Sequence, residues 1–221
     1  MGRTGSARDR YLDAALELLD EGEPLTLHRL GERLGLTHTA VYRHFTDLRQ
    51  LVNELFDREL GDELSAPLPT DATPREQIVT LALRVRRGLM EHHSLAVALL
   101  SADYPVGSMA NVAQRGLSLL REMGLEGADL AMVYRSFESV LLGTTVFDVA
   151  ASPDHLAIRR ERMRQLGDGS LNRMLRTDAA VGKVNEAGFR FTIDALLDAS
   201  EALVAARAGA AGSAAGGAGK R

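Results

Sequence analysis

The chain of 221 residues has no cysteine and only two lysines among its 26 basic residues. The lack of cysteine excludes disulfides, thiolate metal sites and cysteine nucleophiles together, and it fits a reducing compartment. A basic excess is also missing: the formal net charge is −4, and residues 1–50 carry seven Arg against eight Asp and Glu. Any contact with nucleic acid must therefore come from local placement of charge and not from the overall field. No apolar run reaches the length of a membrane span, and the opening MGRTGSARDR has no apolar core of a signal peptide, so a soluble cytoplasmic protein is expected. There is no phosphate-binding glycine loop, no nucleophile elbow, no HExxH, no strand pattern and no internal repeat. An enzyme is not expected, nor a cofactor.

What is present reads as helix almost throughout, an all-α chain. Hydrophobic residues make up 45%, enough for a sizeable core. Tyr11, Ala14, Ala15, Leu18 and Leu19 recur at helical spacing on one face, and Glu21-Gly22 closes that helix. Thr26 caps a short helix burying Leu27, Leu30 and Leu34, which Gly35 breaks. Thr37 caps a second short helix carrying Val41 and Phe45. Asp47, with Gln50 three residues on, opens a fourth helix in the manner of a capping box and places Leu48, Leu51, Val52, Leu55 and Phe56 on one side. A connector broken by Pro67 and Pro69 follows, the clearest boundary in the chain. Thr73-Pro74-Arg75-Glu76 then restarts helix with an N-cap, Pro at the first position and Glu at the third. Ile78, Leu81, Ala82, Val85 and Leu89 form its stripe.

Further on, Asp103–Gly107 reads as a loop, 108–123 as a helix and 129–151 as a helix apolar nearly all round. A polar, Arg-rich helix begins after Ser152-Pro153 and breaks near Gly167–Ser170. A final helix over 182–207 carries Phe189, Ile193, Leu196, Leu197, Leu203 and Val204. These readings divide the chain into 1–65, 66–207 and a low-complexity tail at 208–221 that is expected to be disordered.

Two short helices joined by a tight glycine turn and flanked by longer amphipathic helices describe a helix-turn-helix. A helix that enters a major groove must be short, held by few apolar residues and otherwise polar. Thr37–Phe45 meets this description: Ala40, Val41 and Phe45 face inward, leaving His38, Thr39, Tyr42, Arg43 and His44 for solvent or DNA. The polar residues at its start are placed to meet base edges. Tyr42 and His44 suit phosphate contacts, and the backbone N–H groups behind Thr26 suit another. Spacing alone leaves open a plain helical core segment with solvated His and Arg.

The stretch LTLHRLGERLGLTHTAVYRHFTDLRQLVNELF, residues 25–56, resembles the tetracycline-repressor-like (TetR) regulators. The resemblance is carried by Thr26, Leu34-Gly35-Leu36, Val41-Tyr42-x-His44-Phe45 and Leu51, with YLDAALELL at 11–19 as the first helix. It implies a helix-turn-helix head that binds double-stranded DNA. It also implies a homodimer contacting successive major grooves of a near-palindromic operator, and a larger C-terminal domain whose ligand frees the heads from DNA. Where the family carries a Lys opening the fourth helix, this chain has Leu48. Arg49 follows, turned by about 100° around the helix. Arg3, Arg8 and Arg10 are either an arm on the DNA backbone or minor groove, or a solvated terminus.

In the family, the helix corresponding to 129–151 packs with the last helix against symmetry mates as a four-helix bundle; FRFTIDALLDASEALVA at 189–205 resembles that last helix. The excess apolar surface of the 129–151 helix is what a dimer interface looks like before assembly; the alternative is a buried central helix of a monomeric bundle. The family's inducer pocket implies candidates Met90, His93, Leu99, Tyr104, Met109, Tyr134, Phe137, Glu138 and Phe147, a lining suited to a small, largely hydrophobic molecule. Each is equally at home in a helical core. Glu138, if buried, needs a partner such as Arg135 or a cationic ligand. His92-His93 is not expected to hold a metal, since adjacent helix positions diverge by about 100°.

Overall fold

The computed structural model describes residues 6–92, 94, 95, 107–149, 161, 165, 169 and 178–217. Among the described residues there is no strand, and the fold is all-α. The elements are α1 (Ala7–Asp20), α2 (Leu27–Leu34), α3 (His38–Tyr42), α4 (Leu48–Ser65), α5 (Pro74–Glu91), α6 (Ser108–Glu122), α7 (Gly127–Val149) and α8 (Asp178–Gly217). No described helix is long and apolar enough to cross a membrane. The chain forms two compact units. One joins Met1–Pro67 with Arg84–Ala113, the other Leu68–Leu83 with Gln114–Arg221.

The first unit is built on α1. Ser6 caps it through a reciprocal pair: the Asp9 N–H donates to Ser6 Oγ at 3.1 Å and the Ser6 N–H to Asp9 Oδ2 at 2.7 Å. Tyr11, Ala14, Ala15 and Leu18 are buried, as their spacing predicts, together with Leu12. From α4, Leu51, Val52, Leu55, Phe56, Leu60 and Leu64 are buried, each large apolar side chain withdrawn from water contributing about 1.5–3 kcal/mol. Leu48, expected on the same side, is instead 37% exposed, because it is the first residue of the helix, one turn short of the core. Arg58 ties α4 to α1 through Asp13 at 2.8 Å. The unit extends past residue 65 to include the second half of α5. There α4 and α5 meet so closely that a Cβ on Gly88 would lie 2.8 Å from Leu60 Cδ2. Arg84 donates to the carbonyls of Ala66 and Pro67 at 2.7 and 3.0 Å, and Arg87 pairs with Glu63 at 3.0 Å. Packing assigns this half-helix; composition had no means to.

In the second unit, α5 starts with the capping box read from sequence: the Thr73 N–H donates to Glu76 Oε2 at 2.8 Å and the Glu76 N–H to Thr73 Oγ1 at 3.3 Å. The backbone bond from Thr73, then its hydroxyl, holds the Glu76 carboxyl below the usual range. Ile78, Val79 and Ala82 of α5 form one core with Leu119 and Leu120 of α6, Leu125, Leu130 and Val133, and Phe189, Ile193 and Leu197 of α8. Arg75 joins α5 to α8 through Asp198 at 2.8 Å and Glu201 at 3.1 Å. Some large apolar side chains stay in water: Phe191 at 74%, Met132 at 55% and Val184 at 37%.

Two expectations are corrected here. Helix α8 continues to Gly217, well into the stretch expected as a disordered tail, and just before that extension Arg207 bonds Asp129 at 3.0 and 3.2 Å. Alanine is the strongest helix former, and the Ala content of 205–215 offsets its glycines. Gly169, placed at an expected break, is helical. The rest of that break, the Arg-rich helix after Pro153 and most of the 103–107 loop lie outside the described residues.

Candidate nucleic-acid interface

The turn between α2 and α3 is set by one backbone requirement. Gly35 takes φ 64° and ψ 28°, the left-handed conformation, which costs a residue with a side chain about 1–2 kcal/mol. Its N–H donates to the Glu32 carbonyl at 3.1 Å and that of Leu36 to Gly31 at 2.9 Å, closing α2 with its last carbonyls satisfied. Thr26 caps the other end, Oγ1 accepting from the Arg29 N–H at 3.1 Å. Arg33 fixes α2 to the end of α1 by bonding Glu21. That bond pulls the Glu21 carboxyl down and the Arg33 guanidinium up.

The recognition segment, expected as one helix from 37 to 45, is divided. Its α-helical part is His38–Tyr42, followed by a hydrogen-bonded turn in which the N–H groups of His44 and Phe45 both reach the Val41 carbonyl, at 2.9 and 3.1 Å. This turn brings Phe45 back into the core beside Val41; both have no exposure. Thr37, Thr39, Tyr42 and Arg43 are exposed, Tyr42 at 47%. Thr37 makes no side-chain capping bond, so its hydroxyl is not committed to the helix it opens. The backbone of His38 starts α3, while its side chain lies outside the described residues. His44 is half-buried, its ring tilted against Tyr11 with centroids 4.6 Å apart. Leu48 and Arg49 open α4, both exposed.

A polar network absent from the sequence reading lies behind this surface. Arg8 bonds both oxygens of Glu54 through Nε and Nη2, and its guanidinium carbon sits 4.9 Å from the centroid of the Phe45 ring. The Phe45 ring in turn meets Tyr11 edge-on at 5.8 Å. Glu54 also accepts from Gln50 Nε2 at 3.0 Å. The Gln50 carbonyl oxygen then accepts from the Thr46 N–H at 2.8 Å and from the Thr46 hydroxyl at 3.1 Å. Gln50 thus reaches back beyond Asp47, whose own Oδ1 accepts from the Gln50 N–H at 2.8 Å. The bond to Glu54 raises the affinity of Arg8 for its proton. Arg8 is therefore tied to α4, partly exposed, and does not belong to a free arm; Arg10 is exposed on α1 and Arg3 lies outside the described residues. No local sequence signal joins Arg8 to Glu54, because the pairing is tertiary.

The ligand candidates are not gathered in one unit. Met90, 37% exposed, and Met109, buried, belong to the first. Tyr134, Phe137 and Glu138 lie half-buried on α7 in the second. Glu138 bonds Arg135, one of the two partners expected for it, one turn back on the same helix. Burial, then the nearby Glu138 charge, pushes the Tyr134 phenol up. His93, Leu99 and Tyr104 lie outside the described residues, as does the Phe147 side chain.

No family model matches the chain. It is 27% identical over 178 residues to the tetracycline repressor protein class A from transposon 1721 of Escherichia coli, covering 79% of each chain. Among solved structures, it is similar to a possible TetR family transcriptional regulator from Streptomyces coelicolor A3(2). That likeness has 25% identity and a TM-score of 0.69, and covers 89% of this chain and 99% of the other. It also shares the fold of BioQ solved with its natural double-stranded DNA operator, at 21% identity and a TM-score of 0.59, over 90% of this chain and 99% of that one. With the glycine turn at Gly35 and the α3 segment in place, the chain is similar in sequence to the tetracycline repressors and in fold to TetR family transcriptional regulators over most of its length.

Proposed function

We propose that the chain is a repressor that binds a near-palindromic DNA operator as a homodimer through residues 37–45, and that a small, largely hydrophobic molecule releases it. The observation that carries the reading is the division within that segment: Val41 and Phe45 are wholly buried while Thr39, Tyr42 and Arg43 face water. A short helix anchored by two side chains and polar elsewhere is what a major groove admits. In this reading Thr37, His38 and Thr39 meet base edges. Tyr42, Arg43 and His44 hold phosphates, with Thr26 and Arg49 flanking them. Residues 1–65 serve as the DNA-binding domain and 66–207 as the ligand-binding and dimerisation domain. Support for the dimer comes from Phe191 and Met132, large apolar groups exposed in the single chain. Support for a releasing ligand comes from the tetracycline repressor likeness. Met90, His93, Tyr104, Met109, Tyr134, Phe137, Glu138 and Phe147 are its proposed contacts.

The test is selection of binding sites from random double-stranded DNA by the purified chain. Enrichment of a near-palindrome with half-sites about 34–36 Å apart is expected. No enrichment even at low salt overturns DNA reading. With an operator in hand, a panel of apolar small molecules tests release. Equal operator affinity with and without every bound compound overturns the ligand-responsive part.

A further inference from the structure

We infer that Arg8 and Glu54 act together as positioning residues for DNA binding, setting the pose of the recognition segment without touching DNA. The inference rests on the DNA-binding reading above. The segment leaves the core at Val41 and returns at Phe45, so its pose depends on what holds Phe45 and the turn after it. Both are held by one connected set of groups from α1 and α4. The Arg8 guanidinium lies over the Phe45 ring at 4.9 Å and bonds both Glu54 oxygens. Glu54 takes the Gln50 amide at 3.0 Å, and the same amide's oxygen takes the Thr46 N–H at 2.8 Å. Thr46 is the residue directly after Phe45. The turn between the recognition segment and α4 is thus pinned from both sides.

Arginine suits this place for a geometric reason. Its planar fork matches a carboxylate with two parallel bonds while its face stacks on a ring. A lysine brings the same charge but neither feature. The pair also cancels a carboxylate that would otherwise face DNA phosphates from within the reading head. These properties separate positioning from a direct phosphate contact by sign. If Glu54 acted only through charge, removing it would strengthen DNA binding. If it holds the turn, removing it weakens binding.

The experiment measures affinity for the operator selected by the wild-type chain, using wild type, Arg8→Lys, Glu54→Gln and the double variant. Circular dichroism at the assay temperature checks that each is folded. Arg8→Lys and Glu54→Gln are each expected to lose about five- to tenfold in affinity. The double variant is expected to lose little more than either single one. Full activity of Arg8→Lys, or tighter binding by Glu54→Gln, overturns the inference. So does a double loss equal to the product of the single losses. If the wild type selects a site and the variants behave in one of those ways, only the positioning role falls; if the wild type selects none, the DNA-binding reading itself falls.

Discussion

Replacing Phe45 tests how the reading head is held together. Its side chain has no exposure and lies between α3 and α4 in sequence, with its ring against Tyr11 and Arg8 of α1. Truncation to alanine removes a fully buried aromatic side chain and leaves a cavity, a change that costs about 3–5 kcal/mol. Leucine keeps most of the apolar volume and loses the two ring contacts. The edge-on contact with Tyr11 at 5.8 Å accounts for about 0.5–1.5 kcal/mol. The Arg8 guanidinium at 4.9 Å adds about 0.5–1 kcal/mol, at the low end because that side chain is partly exposed. Phe45→Leu should therefore cost about 1–2.5 kcal/mol and Phe45→Ala about twice that. Hydrogen exchange over α1–α4, at a fixed protomer concentration, reports the stability of the head apart from the rest of the chain. If leucine and alanine cost the same, the ring contacts carry everything and the cavity nothing. If alanine costs under about 1 kcal/mol, Phe45 does not anchor the recognition segment.

Gly35→Ala will lower stability by about 1–2 kcal/mol, read by thermal denaturation; no atom lies within 4 Å of the added methyl, so the cost is backbone alone and Gly35→Asn will cost less. Tyr42→Phe will weaken binding to every sequence alike, whereas Thr39→Ala will change which sequences are preferred, as site selection with each variant will show. Arg43→Gln will flatten the plot of log affinity against log salt by about 0.9 per head, and Leu48→Lys, which restores the family's usual residue, will steepen it by the same amount. Glu76→Ala will destabilise the start of α5 at neutral pH. The Glu76 carboxyl is held below its ordinary value, so its advantage is present above the unfolded-state pKa and disappears as the pH falls through the folded one; paired denaturation curves from pH 7 to 3 check this.

Features set by near neighbours in sequence were readable, and features set by packing were not. The Thr73–Glu76 box, the Thr26 and Asp47 caps, the Gly35 turn and the five-residue stripe from Ile78 to Leu89 are all local, each decided within a turn or two of helix. The Ser6–Asp9 box was equally local and was there to be read. Leu48 was misplaced because periodicity has no sense of where a helix begins relative to the core. The half of α5 that joins the first unit was missed because its cause is a close approach at Gly88, a contact between elements. The same holds for the Arg8–Glu54 pair, whose members lie on different helices. The helical extension to Gly217 shows composition misread: alternating Ala and Gly counts as low complexity by pattern and as helix by propensity.

The near-neutral charge of the head stops being an obstacle once the partners are known. Glu54 is matched by Arg8, Glu17 and Glu21 by Arg33, Glu23 by Arg29 and Asp13 by Arg58. Partly exposed pairs of this kind contribute little stability, a median of about 0–1 kcal/mol each. Their larger effect is on the field, since a carboxylate paired within a few ångströms has little influence beyond the Debye length of about 8 Å at physiological salt. From Arg33 to Thr46 the sequence contains no Asp or Glu at all, and this window spans the turn and the whole recognition segment with Arg43, His38 and His44. A phosphate approaching α3 therefore meets Arg43 and the hydroxyls of Thr37, Thr39 and Tyr42, while most nearby acids are engaged elsewhere. The net charge of −4 sums groups too far apart, or too well paired, to act on that phosphate. Specific binding by such a head depends on the pose of a few side chains more than on attraction at a distance, which is why the groups that hold Phe45 and Thr46 matter as much as those that face DNA.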